Sequence, residues 1–215
     1  MPRVRSVEKF DQKLGDILAA AAQVFAEEGY DRASIRGVAD RAQVSIAGLY
    51  YYVRSKEELL YQIQVDVFGS LVERFKAESV GVPDPEARLE LLVRNHLERF
   101  LANLAELVVC SRELDRLKGE YRERIEAIQR EYFGLAVRLF EEIGRTRGTG
   151  AADARTAALA MFGAINWVHT WYRAEAGPSA ASLAHQVVQL FLTGVLPRAD
   201  GSRAGADGTG KHEAS

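Results

Sequence analysis

The sequence predicts an all-α protein of nine or so helices, on three observations. Apolar residues recur at spacings of three and four along most of the chain, no segment alternates convincingly with period two, and Ser or Asp stands where such stripes begin. Composition agrees. Five prolines and 18 glycines in 215 residues are too few for a turn-rich all-β chain, and 47% hydrophobic with 27% charged residues is globular, not disordered. The single cysteine, Cys110, excludes an intrachain disulfide framework and points to a reducing compartment.

The elements follow in order. Phe10, Leu14, Ile17, Leu18, Ala21 and Phe25 form one stripe of a first helix, with Gly29 as its stop. Ser34 caps a short helix over Ile35–Ala42, and Ser45 caps another over Ile46–Tyr52. Ser55-Lys56-Glu57-Glu58 fits a capping box opening a fourth helix, which buries Leu60, Ile63, Val67, Leu71 and Phe75. Gly81-Val82-Pro83 is a break, and Asp84-Pro85 an N-cap with proline at the first helical position. Leu89, Leu92, Val93, His96, Leu97, Phe100 and Leu104 make the next stripe, followed by a short element through Leu107–Leu117. Tyr121, Ile125, Ile128, Tyr132, Leu135 and Leu139 mark a long amphipathic helix, closed by the loop Arg147-Gly148-Thr149-Gly150. Asp153 caps a helix running to about Ala174, Gly177-Pro178-Ser179 is a break and cap, and the last helix ends near Pro197. Residues 198–215 hold no large apolar side chain and read as a disordered tail.

Three helices, the second and third too short to persist alone, are the skeleton of a helix-turn-helix, packed through Ile35, Val38, Ala39, Ala42, Val44 and Leu49. Net charge is -2, yet unevenly placed: residues 1–56 sum to +2 and residues 57–215 to -4. Between positions 32 and 56, Arg32, Arg36, Arg41, Arg54 and Lys56 face Asp40 alone, a local +4 suited to phosphate.

On the stretches ILAAAAQVFAEEGYDRASIRGVADRAQVS and IAGLYYYVRSKEELL, residues Ile17–Ile63 resemble the N-terminal domain of the TetR family of transcriptional regulators. The tyrosine cluster followed by Ser-Lys-Glu-x-Leu carries the resemblance. Gln43 replaces the family's usual turn glycine, and Val53 its usual phenylalanine. The resemblance implies a dimer on a palindromic double-stranded DNA operator. Ser34 and Arg36 would meet phosphate. Ser45, Ile46, Ala47 and Gly48 would lead the recognition helix into the major groove, where Ile46 and Ala47 offer apolar base contacts. Tyr50, Tyr51 and Lys56 would reach phosphates. The domains expected are 1–56 for DNA, 57–197 for ligand and dimerisation, and the tail.

Gly163–Arg173 reads GAINWVHTWYR, and upstream lies SRELDRLKGEYRERIEAIQREYF. Together they resemble the TetR subgroup that senses acyl-CoA thioesters of fatty-acid, phenylacetate and sterol degradation. The resemblance implies an effector pocket, for which His96, Phe100, Arg112, Arg124, Ile128, Asn166, Trp167, Trp171 and Arg173 are candidates. It also implies a dimer bundle of the last two helices, through Leu183, Val187, Leu190 and Phe191. A buried core or interface role competes for the tryptophans, a core role for His96, and an ion pair with Glu113 or Asp115 for Arg112. The rival effector is an aromatic or cationic drug of an efflux repressor, held by Glu113 and Trp171.

An enzyme is not expected. Cys110 has no nucleophile motif, the four histidines lack metal spacing, and there is no phosphate loop or GxSxG. No metal or cofactor is expected. The run Thr156–Tyr172 is too short and polar to span a membrane, so a cytoplasmic protein without membrane partners is expected.

Overall fold

The computed structural model describes residues 2–148, 153–173 and 175–194, with side chains from residue 9 onward. The expected tail at 198–215, Val195 to Pro197, Ala174, Thr149 and Gly150 lie outside them. The described residues form nine α-helices and no strand: α1 (Pro2–Glu28), α2 (Ile35–Arg41), α3 (Ile46–Tyr52), α4 (Lys56–Glu78), α5 (Pro85–Ala102), α6 (Leu104–Arg112), α7 (Gly119–Arg147), α8 (Ala154–Asn166) and α9 (Ala180–Gly194). None is long and apolar enough to cross a membrane.

The expected caps set most boundaries. α1 stops at Gly29, whose φ of +80° only glycine adopts freely. Ser34 Oγ accepts the Gly37 N–H at 3.0 Å, Ser45 Oγ the Gly48 N–H at 2.9 Å and Ser55 Oγ the Glu58 N–H at 3.0 Å. Glu58 reaches back one residue further than a capping box requires, accepting the Arg54 N–H at 2.6 Å. Asp84 and Asp153 cap α5 and α8.

Two expectations need correction. The element expected over Leu107–Leu117 is α6, beginning at Leu104, plus a separate 3-10 turn at Leu114–Arg116. The α8 helix ends at Asn166, not near Ala174, and passes into a 3-10 turn over Trp167–Thr170. The cause is local. His169 Nδ1 lies 2.8 Å from the Asn166 carbonyl, and Thr170 Oγ1 donates to the Trp167 carbonyl at 2.8 Å, so side chains capture acceptors the helix would need.

Two apolar cores result. One joins α1, α2, α3 and the first turns of α4 through Ile17, Phe25, Val38, Leu49, Leu60 and Ile63. The other begins at Val67 and runs through α5, α7, α8 and α9. They part inside α4, and α6 and α7 also enter both, with Val109 and Ile125 in the first core and Leu107 and Tyr132 in the second.

Candidate DNA-binding face and effector cavity

The turn between α2 and α3 fixes the reading head. Val44 N–H bonds the Ala39 carbonyl at 3.0 Å and Gln43 N–H that of Asp40 at 3.2 Å, the paired bonds of a Schellman motif. Gln43 occupies its left-handed position at φ +54°, the conformation for which glycine is usual. Behind it Ala39 and Leu49 are buried; in front Ser34, Arg36, Ser45, Ile46, Ala47, Tyr50 and Tyr51 share the exposed surface. Tyr51 is 74% exposed and Tyr50 50%, far more than packing residues would be. Phe10 braces this cluster, its ring 5.9 Å from Tyr51 and 4.7 Å from Tyr52. Gly48 is half-buried, and a Cβ there would sit 3.1 Å from Ser45 Oγ, so its small size serves the cap of its own helix.

Two basic residues are not available as expected. Lys56 Nζ donates to the carbonyls of Tyr30, Asp31 and Ala33 at 2.8, 3.3 and 3.0 Å and stands 4.5 Å over the Tyr30 ring. Its three donors are thus committed to the loop before α2, which corrects the expected phosphate contact. Arg41 pairs bidentately with Glu27 of α1, whose carboxyl it holds below the ordinary carboxylate range. Between positions 32 and 56 this leaves Arg36 and Arg54, with Arg32, whose Nε donates to the Glu28 carbonyl at 2.7 Å, keeping only its remaining donors.

In the body a cavity of about 350 Å³ opens between α4, α5, α6, α7 and α8. Phe68, Phe100, Leu107, Phe133, Leu159 and Phe162 make its apolar wall. A chain of neutral hydrogen bonds lies on it. Tyr132 Oη is 3.3 Å from His96 Nδ1, and His96 Nε2 is 3.1 Å from Asn166 Oδ1. Burial lowers the His96 pKa to about 3, so the imidazole is neutral; Nε2–H donates to Asn166 and Nδ1 accepts from Tyr132. Burial likewise raises Cys110 and Tyr132, leaving a protonated thiol that is no nucleophile. Gln129 joins the wall and donates to Gln64 Oε1 at 3.3 Å, and Gln64 is completely buried on α4.

Leu114, Gln129 and Phe133 also belong to a neighbouring groove of about 680 Å³, lined by Arg130, Arg138 and Arg155. Among the described lining residues Glu126 is the one acidic side chain. It sits 3.6 Å from Arg130 and is engaged by Arg122. Arg155 lies 5.4 Å from the Phe133 ring centre. These three arginines were missed in the sequence because isolated helix-surface arginines resemble solvated charges. Arg130 and Arg138 are eight residues apart on α7, which places them on one face, and that spacing was the available signal.

The structure gathers His96, Phe100 and Asn166 at the cavity and leaves out the other six candidates. Arg112 and Arg173 are exposed, and Arg173 bonds the Tyr172 carbonyl. Arg124 is exposed, paired with Glu120. Ile128 is half-buried between the two cores. Trp167 and Trp171 are 63% and 50% exposed, and Trp167 continues the outward face that Gly163 and Ala164 present on α8.

The four residues expected at the dimer contact also divide. Leu183 is buried within its own chain, since α9 lays Leu183, Ala184, Val188 and Leu192 against α5. Val187 and Phe191 are half-buried and Leu190 is 71% exposed. With Gly163, Ala164 and Trp167 exposed on α8, they leave an apolar outer face on the last two helices.

Among the described residues no group of three or more His, Cys, Asp or Glu could hold a metal. Comparison with known proteins agrees with this arrangement. A TetR-family regulator from Bordetella parapertussis is 33% identical, covering 85% of this chain and 95% of its own, with a TM-score of 0.75. The transcriptional repressor KstR2 of Mycobacterium tuberculosis is 27% identical over 195 residues, 89% of this chain and 95% of its own. The regulator FadR of Bacillus subtilis, solved in complex with stearoyl-CoA, is 25% identical over 85% of this chain and 97% of its own, with a TM-score of 0.66. Residues 17–63 match the family described as bacterial regulatory proteins, tetR family, and residues 82–195 the tetracyclin repressor-like C-terminal domain. This chain belongs to the TetR family and is a DNA-binding transcriptional regulator, not an enzyme.

Proposed function

We propose that this TetR-family repressor binds a palindromic operator as a dimer and is released by an acyl-CoA thioester. The observation that carries the effector is the contiguity of an apolar cavity with a groove holding three arginines and one shared carboxylate. An acyl chain belongs in the first and the phosphates of coenzyme A on the second. Among the described residues lining the cavity none is acidic, which disfavours the cationic-drug reading. The FadR complex with stearoyl-CoA supports the class of ligand.

In this reading residues 1–56 form the head, where Ser34, Arg36 and the two exposed tyrosines meet phosphates, and Ser45, Ile46, Ala47 and Gly48 approach the bases. Residues 57–197 bind effector and pair through the outer face of α8 and α9. Val187, Leu190 and Phe191 make that contact with Trp167 and Trp171. Operator binding places the protein in the cytoplasm. Ligand entering beside Phe68 and Gln129 displaces α4. The Lys56 latch then carries that motion to the loop before α2, altering the separation of heads that sit about 34 Å apart on DNA.

The test is operator-binding anisotropy with acetyl-, octanoyl- and palmitoyl-CoA added. At least one should release the DNA; indifference to all three removes the effector. The triple variant Arg130→Ala, Arg138→Ala, Arg155→Ala should bind operator normally and the active thioester about a hundredfold more weakly, as expected for two or three charged hydrogen bonds. Unchanged affinity would remove the groove from the site.

A further inference from the structure

The cavity is not uniformly apolar, and its polar groups lie away from the arginines. Arg155 stands in the first turn of α8 and Asn166 at its last residue, so the two ends are about 16 Å apart at 1.5 Å per residue. At the Asn166 end the chain Tyr132–His96–Asn166 uses one oxygen of the amide and the single proton of the neutral imidazole. Capacity is left over. Among the described residues the Asn166 Nδ2 group has no acceptor, and the Tyr132 hydroxyl, having donated to His96, keeps lone pairs free. No lysine or arginine lines this cavity. A plain alkyl chain packed there would strip water from an amide nitrogen without replacing its hydrogen bonds. A carboxylate would be buried with no counter-charge. A neutral hydroxyl satisfies both limits, accepting from Asn166 Nδ2 and donating to the Tyr132 oxygen.

We infer that the effector's acyl group carries a hydroxyl, seated between Asn166 and Tyr132, and is not a simple saturated chain. The inference rests on the acyl-CoA reading and names the substrate class within it. The cavity volume of about 350 Å³ lies at the small end for ligand pockets, which suits a short functionalised acyl group. A site built to bond an oxygen discriminates strongly against the analogue lacking it.

The experiment is calorimetric titration of the full chain with octanoyl-CoA, with octanoyl-CoA bearing one hydroxyl at carbon 3, 5 or 7, and with the matching keto esters. At least one hydroxy ester should bind tenfold or more tightly than octanoyl-CoA, and more tightly than its keto counterpart, which has no proton to give Tyr132. Asn166→Leu should abolish that preference, and Tyr132→Phe, a smaller change to the fold, should reduce it several-fold. Equal binding of all the esters by the wild-type chain overturns the inference and leaves the acyl-CoA reading standing; this is also the result if the polar end holds the thioester carbonyl. Binding of none of them overturns the inference, and overturns both if acetyl- and palmitoyl-CoA are also without effect. A hydroxyl preference that survives in both variants overturns the assignment to Asn166 and Tyr132.

Discussion

In the head, Ser34, Ser45 and Ser55 each cap a helix, and Lys56 gives all three donors to carbonyls of one loop. In the body, Gln64 Nε2 is buried without a partner, and of the Asn166 amide the oxygen is engaged by His96. The head meets DNA through a fixed surface, so its internal polar groups are satisfied before DNA arrives and little ordering is left for binding. If the body accepts a ligand as proposed, the free hydrogen-bonding capacity at its cavity is available to that ligand. Among the described residues, the buried side-chain atoms without a partner all belong to the body and none to the head. If that contrast is right, damage to one half should be separable from damage to the other.

The largest effect should come from Leu49→Ala. Leu49 is fully buried in the head core, and truncation leaves a cavity costing about 3 kcal/mol. Operator binding should be lost at 37 °C while acyl-CoA still raises the melting temperature of the body, followed by circular dichroism. Loss of both activities together would show that the two cores melt as one through α4.

The body should announce itself in its pH dependence. Unfolded His96 takes up a proton near pH 6.5, whereas the buried ring does so only at about 3. Stability is therefore full above pH 6.5 and drains as the pH falls towards 3, by about 2 kcal/mol at pH 5. Urea titrations at pH 7 and 5 would measure this. In His96→Gln, which has no ionisable ring, that part of the slope should vanish; an unaltered slope would place the proton uptake elsewhere.

Lys56→Met tests the latch. Loss of three charge-assisted bonds to carbonyls should cost about 2 kcal/mol of stability. The salt dependence of operator binding should be unchanged, because no phosphate contact is lost. A slope smaller by about 0.9 would instead restore Lys56 to the DNA.

These tests fall on residues that were unequally legible in the sequence. The head could be read closely because its determinants are local: Ser-to-glycine spacing within one turn, the glycine stop of α1, the tyrosine run. Lys56 escaped because a lysine at a helix start has the same sequence signature whether it faces phosphate or carbonyls contributed 23 to 26 residues earlier. The cavity was harder, since its wall draws on five helices. His96 and Phe100 stood out on an apolar stripe and Asn166 in the Asn-Trp stretch, but the groove arginines offered only the eight-residue spacing of Arg130 and Arg138. Trp167 and Trp171 were singled out by the resemblance and not by periodicity, which sets them four and eight residues beyond the exposed Gly163.

The smallest effect concerns the one strained residue of the head. Gln43 holds the left-handed position of the Schellman turn at φ +54°, at a cost of about 1 kcal/mol relative to glycine. Gln43→Gly would remove that strain, but glycine also gains freedom in the unfolded chain, which offsets roughly half of the benefit. The net stabilisation should be about 0.5 kcal/mol, a rise of about 1–2 °C in Tm for a chain of this size. Operator affinity should not change, since the Gln43 and Val44 N–H bonds that set the angle between α2 and α3 are made by the backbone and survive the substitution. A fall in operator affinity with unchanged or higher Tm would mean that the Gln43 side chain, exposed beside the recognition helix, touches DNA itself.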